Sequence, residues 1–217
     1  MPAARHGSAP PLEQNASACY TVCMALQKHI LPAFVFIVVA LLYSCVGTRV
    51  EPPPVSRSIA GSGTKSAPQL AAFFLSRNPE HDKAHIMEFA SIYIEEAAAE
   101  GLNSDVAFVQ MCHETGFLRF GNLVSADMHN YCGLGAIDAE HRGEVFATER
   151  EGVRAHIQHL HAYGTTGGLR NPLIDNRYKW VSPRGKAQDI FALTGTWAAD
   201  PQYGQKLDSL LCELEQF

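Results

Sequence analysis

The sequence predicts a mainly α domain over residues 70–217, with a small β or loop lobe set into it. Three observations carry this. Apolar residues recur at three- and four-residue spacing in several separate windows. These windows open on helix-capping residues and close on glycine. One stretch, residues 121–147, contains glycine and lacks the helical period.

The elements follow in order. Asn78-Pro79 is a cap followed by proline at the first helical position, and it opens a first helix. Ile86, Phe89, Ala90, Tyr93, Ile94 and Ala97 give that helix one apolar face, and Gly101 stops it. Ser104 caps a second helix through Ala107, Phe108, Met111 and Cys112, ending near Gly116. Residues 121–147 then read as short β or loop. Thr148 with Glu151 is a capping box opening a third helix, which carries Val153, Ile157 and Leu160 and closes at Gly164. Ser182-Pro183 opens a fourth, with Ala187, Ile190 and Phe191, ended by Gly195. Asp200-Pro201 opens the last, with Tyr203, Leu207, Leu210, Leu211 and Leu214 on one stripe. No internal repeat and no glycine-rich phosphate loop is evident.

The chain has 217 residues, 47% hydrophobic and 18% charged, which suffices for a buried core. Its charge is uneven. Residues 1–69 carry a net +3 and residues 70–217 a net −8. A folded part this acidic is unsuited to a nucleic-acid backbone, which calls for a basic surface.

Ile30 to Val46 is a seventeen-residue apolar run behind Lys28 and His29, at the short limit for a membrane span. With Leu42-Tyr43-Ser44-Cys45 closing it, the run resembles a bacterial lipoprotein signal, which implies acylation of Cys45 as the first mature residue. The alternative is an uncleaved anchor helix. Met24 gives a compact signal over 24–45 and is the expected start, leaving 1–23 untranslated or a disordered leader. Residues 46–69, with Pro52-Pro53-Pro54 and Gly61-Ser62-Gly63, read as a linker. The expected location is the cell envelope: exported and anchored to a membrane.

Cys112, Cys132 and Cys212 remain in the domain, without a CxxC pair, and read as buried free thiols. His113-Glu114 would need a second histidine at 117 to make a zinc-protease motif, and Phe117 stands there. His156, His159 and His161 do not share one helix face, so no metal and no cofactor is expected. Glu114 closes the apolar second helix, seven residues after Ala107 and on its face. A carboxyl at the mouth of an apolar wall loses hydration, which raises its pKa toward that of a general acid. The plain alternative is a solvated carboxylate at a helix end.

Glu114-Thr115-Gly116-Phe117 followed by Asn130-Tyr131-Cys132-Gly133-Leu134-Gly135-Ala136 resembles the glucosaminidase family that cuts bacterial peptidoglycan, glycoside hydrolase family 73. Residues 146–160, 175–181 and 196–207 are similar to later segments of that family, in the same order. The resemblance implies a mainly α, α+β lysozyme-like fold with a substrate groove beside the lobe. It implies hydrolysis of the β-1,4 bond after N-acetylglucosamine in wall glycan. Glu114 maps onto the catalytic acid, Asn130 and Tyr131 onto the cleft segment opposite, and Trp197 and Tyr203 onto an aromatic signature.

A second carboxylate would come from Asp138, Glu140 or Glu144, with Glu144 the best positional match. The other route is attack by the sugar's own N-acetyl group, and the residues leave both open. The partners implied are peptidoglycan glycan strands and a membrane. The rival functions are a lytic transglycosylase or muramidase on a related fold, and an inactive wall-binding lipoprotein.

Overall fold

The computed structural model describes residues 54–217; the lipoprotein-like segment, Cys45 and most of the proline run lie outside the described residues. The chain divides into two units, Met1–Pro52 and Pro53–Phe217, and the second contains the described fold.

Five helices form it: α1 (Ala67–Arg77), α2 (Lys83–Glu100), α3 (Ser104–Thr115), α4 (Glu149–Gly164) and α5 (Tyr203–Leu214). Single 3-10 turns occur at Ala126–Met128 and Tyr178–Trp180. The mainly α expectation holds, and the lobe expected as β or loop is loop with one isolated bridge, Ala136 to Arg142. No helix among the described residues is long and apolar enough to cross a membrane.

The centre is α3, buried from Ser104 to Cys112 and packed by α2, α4, α5 and α1. That placement explains its weak one-sided pattern, since a helix covered all round is apolar all round. Its cap is Asn103 rather than Ser104: the Asn103 side chain accepts from Asp105 N at 3.0 Å and Val106 N at 3.4 Å. Helix α4 begins as the capping box indicates, with Thr148 Oγ1 accepting from Glu151 N at 3.2 Å. Tyr203, Leu207, Leu211 and Leu214 form the buried stripe of α5.

Four expectations are corrected. The first expected helix starts at Lys83, capped by Asp82, because Asn78 ends a preceding helix, α1, instead of opening α2. The linker reading of 46–69 fails over its described part. Val55 and Ile59 are buried core residues, and Arg57 pairs with Asp208 at 2.7 Å and Glu215 at 2.6 Å. The helix expected from Ser182 to Gly195 is absent. Its backbone instead pairs with that same segment, Ile59 N donating to Gln188 O at 3.0 Å and Ile190 N to Arg57 O at 3.1 Å. Ala187, Ile190 and Leu193 are buried by this pairing, which satisfies polar backbone without a helix. Finally, Cys112 and Cys132 are buried free thiols, but Cys212 is exposed.

Two glycines set the approach of the lobe and of α5. A Cβ at Gly152 would lie 1.8 Å from His129 O, so α4 and the lobe meet only through a glycine there. A Cβ at Gly204 would lie 2.7 Å from Phe191 Cα, which lets the start of α5 close on the 190–191 turn. That contact places Tyr203 beneath the end of α3.

Candidate active site

Helix α3 ends at Thr115 with Gly116 in the left-handed region (φ 60°). The next residues keep bending: Phe117, Leu118 and Phe120 all have positive φ (59°, 60° and 55°). This turn leaves Glu114 on the last helical turn, beside a cleft of about 310 Å³. The cleft is walled by Glu114 and Trp197 on the helical side, and by Asn130, Cys132, Gly133 and Ala136 of the lobe.

Glu114 uses one carboxyl oxygen inward. Its Oε1 accepts from the indole Nε1 of Trp197 at 2.9 Å and from the hydroxyl of Tyr203. Its Oε2 makes no hydrogen bond among the described residues. Burial pushes the Glu114 pKa up, and the donors Tyr203 and Trp197 hold back only part of that rise. Indole nitrogen can only donate, so the proton of the neutral acid belongs on Oε2, on the cleft side.

A buried chain of polar groups runs behind Tyr203. Its oxygen accepts from Gln110 Nε2 at 2.9 Å; Gln110 Oε1 lies 3.1 Å from His156 Nε2; His156 Nδ1 lies 3.0 Å from the Tyr93 hydroxyl. Burial pushes the His156 pKa down to about 3, with His159 adding to the effect, so the ring is neutral. The donor pattern then assigns its proton to Nε2, with Tyr93 donating to Nδ1. Every bond in the chain points toward Glu114.

A second pair lies under Trp197. His159 Nδ1 is 2.7 Å from the buried Asp175, and its ring packs edge-on to Trp197 at 5.2 Å. Tyr163 packs on the same indole at 5.0 Å and donates to Thr196 O at 3.1 Å. The indole nitrogen is thereby aimed at Glu114 by packing on its other faces.

Glu114, Trp197 and Tyr203 are therefore brought together as the sequence suggests. Asn130 lines the cleft, but its amide is occupied by backbone: Nδ2 donates to Leu134 O (2.9 Å) and Glu144 O (3.0 Å), and Oδ1 accepts from Leu134 N (2.9 Å). It braces the lobe. Tyr131 is not in the cleft. It is buried against Phe89, with ring centroids 4.8 Å apart, so its assignment to the substrate side is corrected. Glu144 does not line the cleft, and its Oε2 sits 3.5 Å from Asn176 Nδ2.

His156, His159 and His161 are each engaged by different partners, Gln110 and Tyr93, Asp175, and Tyr178. Among the described residues no group of three His, Cys, Asp or Glu is placed to hold a metal ion. Cys132 lines the cleft, but burial keeps its thiol protonated, with the charges of Glu114 and Asp175 adding to the effect. A neutral thiol is a poor nucleophile.

Sequence reasoning missed Gln110 and the role of His156. Gln110 carries a readable signal: a lone amide in an apolar helix, four residues before Glu114 and so on the same face.

A buried carboxyl with a raised pKa beside a cleft suits a glycosidase, and comparison with known proteins agrees. Residues 90–216 match the family model "Glucosaminidase: Mannosyl-glycoprotein endo-beta-N-acetylglucosaminidase". The chain belongs to this glucosaminidase family. A protein of Borreliella burgdorferi described as an uncharacterized protein is 36% identical over 172 residues, covering 79% of this chain and 84% of that one. The family domain is that of a peptidoglycan-acting glycosidase, which implies work outside the cytoplasm.

Proposed function

We propose that the domain hydrolyses the β-1,4 bond after N-acetylglucosamine in wall glycan, with Glu114 as general acid. The observation that supports this most is the division of labour on one carboxyl group. Oε1 is held by Trp197 and Tyr203, which leaves Oε2 to carry the proton at the cleft. In the first step Oε2–H protonates the leaving glycosidic oxygen as the anomeric bond breaks. In the second the resulting carboxylate takes a proton from water. Hydrogen bonds to Oε1 strengthen as the carboxylate forms, so the two donors favour the transition state over the ground state.

The group that stabilises the anomeric carbon has two candidate sources. Glu114 is the one carboxylate lining the cleft among the described residues, which favours the substrate's own N-acetyl oxygen. Glu144, held near Asn176, would have to turn inward to act. Glu144→Gln tests this residue: near-full activity supports the N-acetyl route or another carboxylate, Asp138 or Glu140, and collapse of activity supports Glu144.

A zymogram of purified peptidoglycan tests the whole reading. The wild-type chain clears the gel and Glu114→Gln does not. Absence of clearing by the wild-type chain would favour a wall-binding protein without turnover. The N-terminal run is read as an export signal that attaches the chain to a membrane through acylated Cys45. Cys45→Ala should move the protein from the membrane to the soluble fraction of fractionated cells. Unchanged fractionation would contradict the lipid attachment.

A further inference from the structure

Between residues 170 and 186 the chain carries five cations, Arg170, Arg177, Lys179, Arg184 and Lys186, against one carboxylate, Asp175. This stretch lies inside a domain of net charge −8. Asp175 compensates none of them, because it is buried and spent on His159 Nδ1 and the backbone N–H of Arg177. Among the described residues no ion pair involves any of the five. Elsewhere Arg57, Arg77, Arg150, Arg154 and Lys206 are paired, while Lys65, Lys83, Arg119 and Arg142 make no ion pair among the described residues.

A solvated basic face would be the ordinary explanation, and Arg177 does not fit it. Its Nε is buried and lacks a hydrogen-bond partner. The guanidinium lies against Gly135, where an added Cβ would stand 3.1 Å from Nε. With Nε enclosed against the lobe, the terminal guanidinium nitrogens, which make no hydrogen bond among the described residues, are the groups left to meet an acceptor.

Two of the cations stand behind residues of the cleft wall without lining it. Arg177 abuts Gly135, between the cleft-lining Gly133 and Ala136. Lys186 Nζ stands 4.7 Å over the ring of Tyr163, which packs on Trp197, the indole bonded to Glu114. Beyond them Lys179 sits 5.2 Å over the ring of Trp180, which is 70% exposed. Arg184 is the fastener of this segment, donating to Gly167 O and Thr166 O at 3.0 Å and to the Tyr178 hydroxyl at 2.6 Å.

We propose that residues 177–186 form a second binding surface, separate from the cleft, for the carboxylates of the peptide stems on wall glycan. The proposal rests on the reading of the cleft as a peptidoglycan site. Glycan whose muramic carboxyls are in amide linkage carries no charge in its backbone, so its acidic groups lie on the stems. Guanidinium and ammonium groups recognise carboxylates by charge-assisted hydrogen bonds, and an exposed indole covers the apolar atoms between them. The surface would therefore select decorated strands over bare ones.

The test is co-sedimentation of the full chain with insoluble wall, using Glu114→Gln so that nothing is digested. Native wall is compared with wall whose stem carboxyls have been converted to methylamides. The parent chain should bind native wall about ten-fold more tightly, with the difference shrinking at high salt. Arg177→Gln/Lys179→Gln/Lys186→Gln should bind both walls alike. Lys179→Glu/Lys186→Glu, which leaves Arg177 packed on Gly135, should also lose the preference. Equal binding of the two walls by the parent chain overturns the proposal. So does discrimination retained by both variants. Since no bond is cut in this assay, failure of the glycosidase reading would appear separately, as a wild-type chain that releases no products.

Discussion

Replacing Tyr203 with phenylalanine deletes one of the two donors that hold Oε1 of Glu114 and leaves the buried ring in place. A hydrogen bond to a charged group contributes about 1.5–3 kcal/mol, and about 1.4 kcal/mol corresponds to one pH unit of pKa. The lost bond favoured the ionised form, so the midpoint of Glu114 should rise by roughly 1–2 pH units. A general acid must be protonated to act. The alkaline limb of kcat/KM for wall digestion should therefore move upward with it. Burial keeps the Cys132 thiol and the Tyr203 phenol neutral, and His156 uncharged, so these three do not shape that limb. Carboxyl ¹³C NMR of Glu-labelled protein reads the midpoint directly. Gln110→Met should move it in the same direction by less, because Tyr203 keeps its hydroxyl but loses the donor that orients it. The phenylalanine variant also strands Gln110 Nε2, at a stability cost of about 1–3 kcal/mol. A midpoint that stays put or falls in Tyr203→Phe would refute the assignment of the hydroxyl as a donor to the carboxylate.

Further expectations concern stability. Glu114 has a raised pKa in the folded state, so its contribution is fullest below the unfolded carboxylate range and is lost as pH rises through the folded value. Glu114→Gln should therefore raise Tm more at about pH 8 than at about pH 4 in a thermal melt, and an equal gain at both would contradict the burial argument. Glu96 behaves oppositely. Burial works against its charge, but Arg154 and Arg150, at 2.8 Å and 3.1 Å, hold its pKa below the ordinary value. Glu96→Gln should cost about 1–3 kcal/mol at neutral pH, a deficit that closes as acid protonates the wild-type carboxylate; urea titration reads it. Ile59→Ala should cost about 2–5 kcal/mol in urea unfolding, although the sequence places Ile59 in a linker, because the side chain is fully buried. A cost near zero would return residues 54–66 to the tether.

What the sequence made legible was local. Gly101 and Gly116 do end α2 and α3 in the left-handed conformation, and the Thr148 box does start α4, because caps are settled by residues a few positions apart. Glu114 was legible for the same reason, as a charged residue closing an apolar helix. The misses were non-local. The backbone of 188–190 gave up a helix because residues 57–59, about 130 positions away, offered it partners. The linker reading failed with it, since proline, glycine and serine mark flexible and packed irregular chain alike. Tyr131 illustrates a different limit. Its place in a cleft-forming motif indicated the cleft, but the left-handed turn at His129 (φ 49°) precedes a ring directed onto Phe89. The relay behind Tyr203 joins α2, α3, α4 and α5, and no single window of sequence contains it.

The central claim is that a proton on Glu114 Oε2 breaks the bond after N-acetylglucosamine by hydrolysis. Mass spectrometry of muropeptides released from purified wall, with the reducing ends marked by borohydride, tests it most directly. The wild-type chain should yield reduced N-acetylglucosamine ends and Glu114→Gln almost none. Products ending in N-acetylmuramic acid or its 1,6-anhydro form, or full digestion by the glutamine variant, would contradict it.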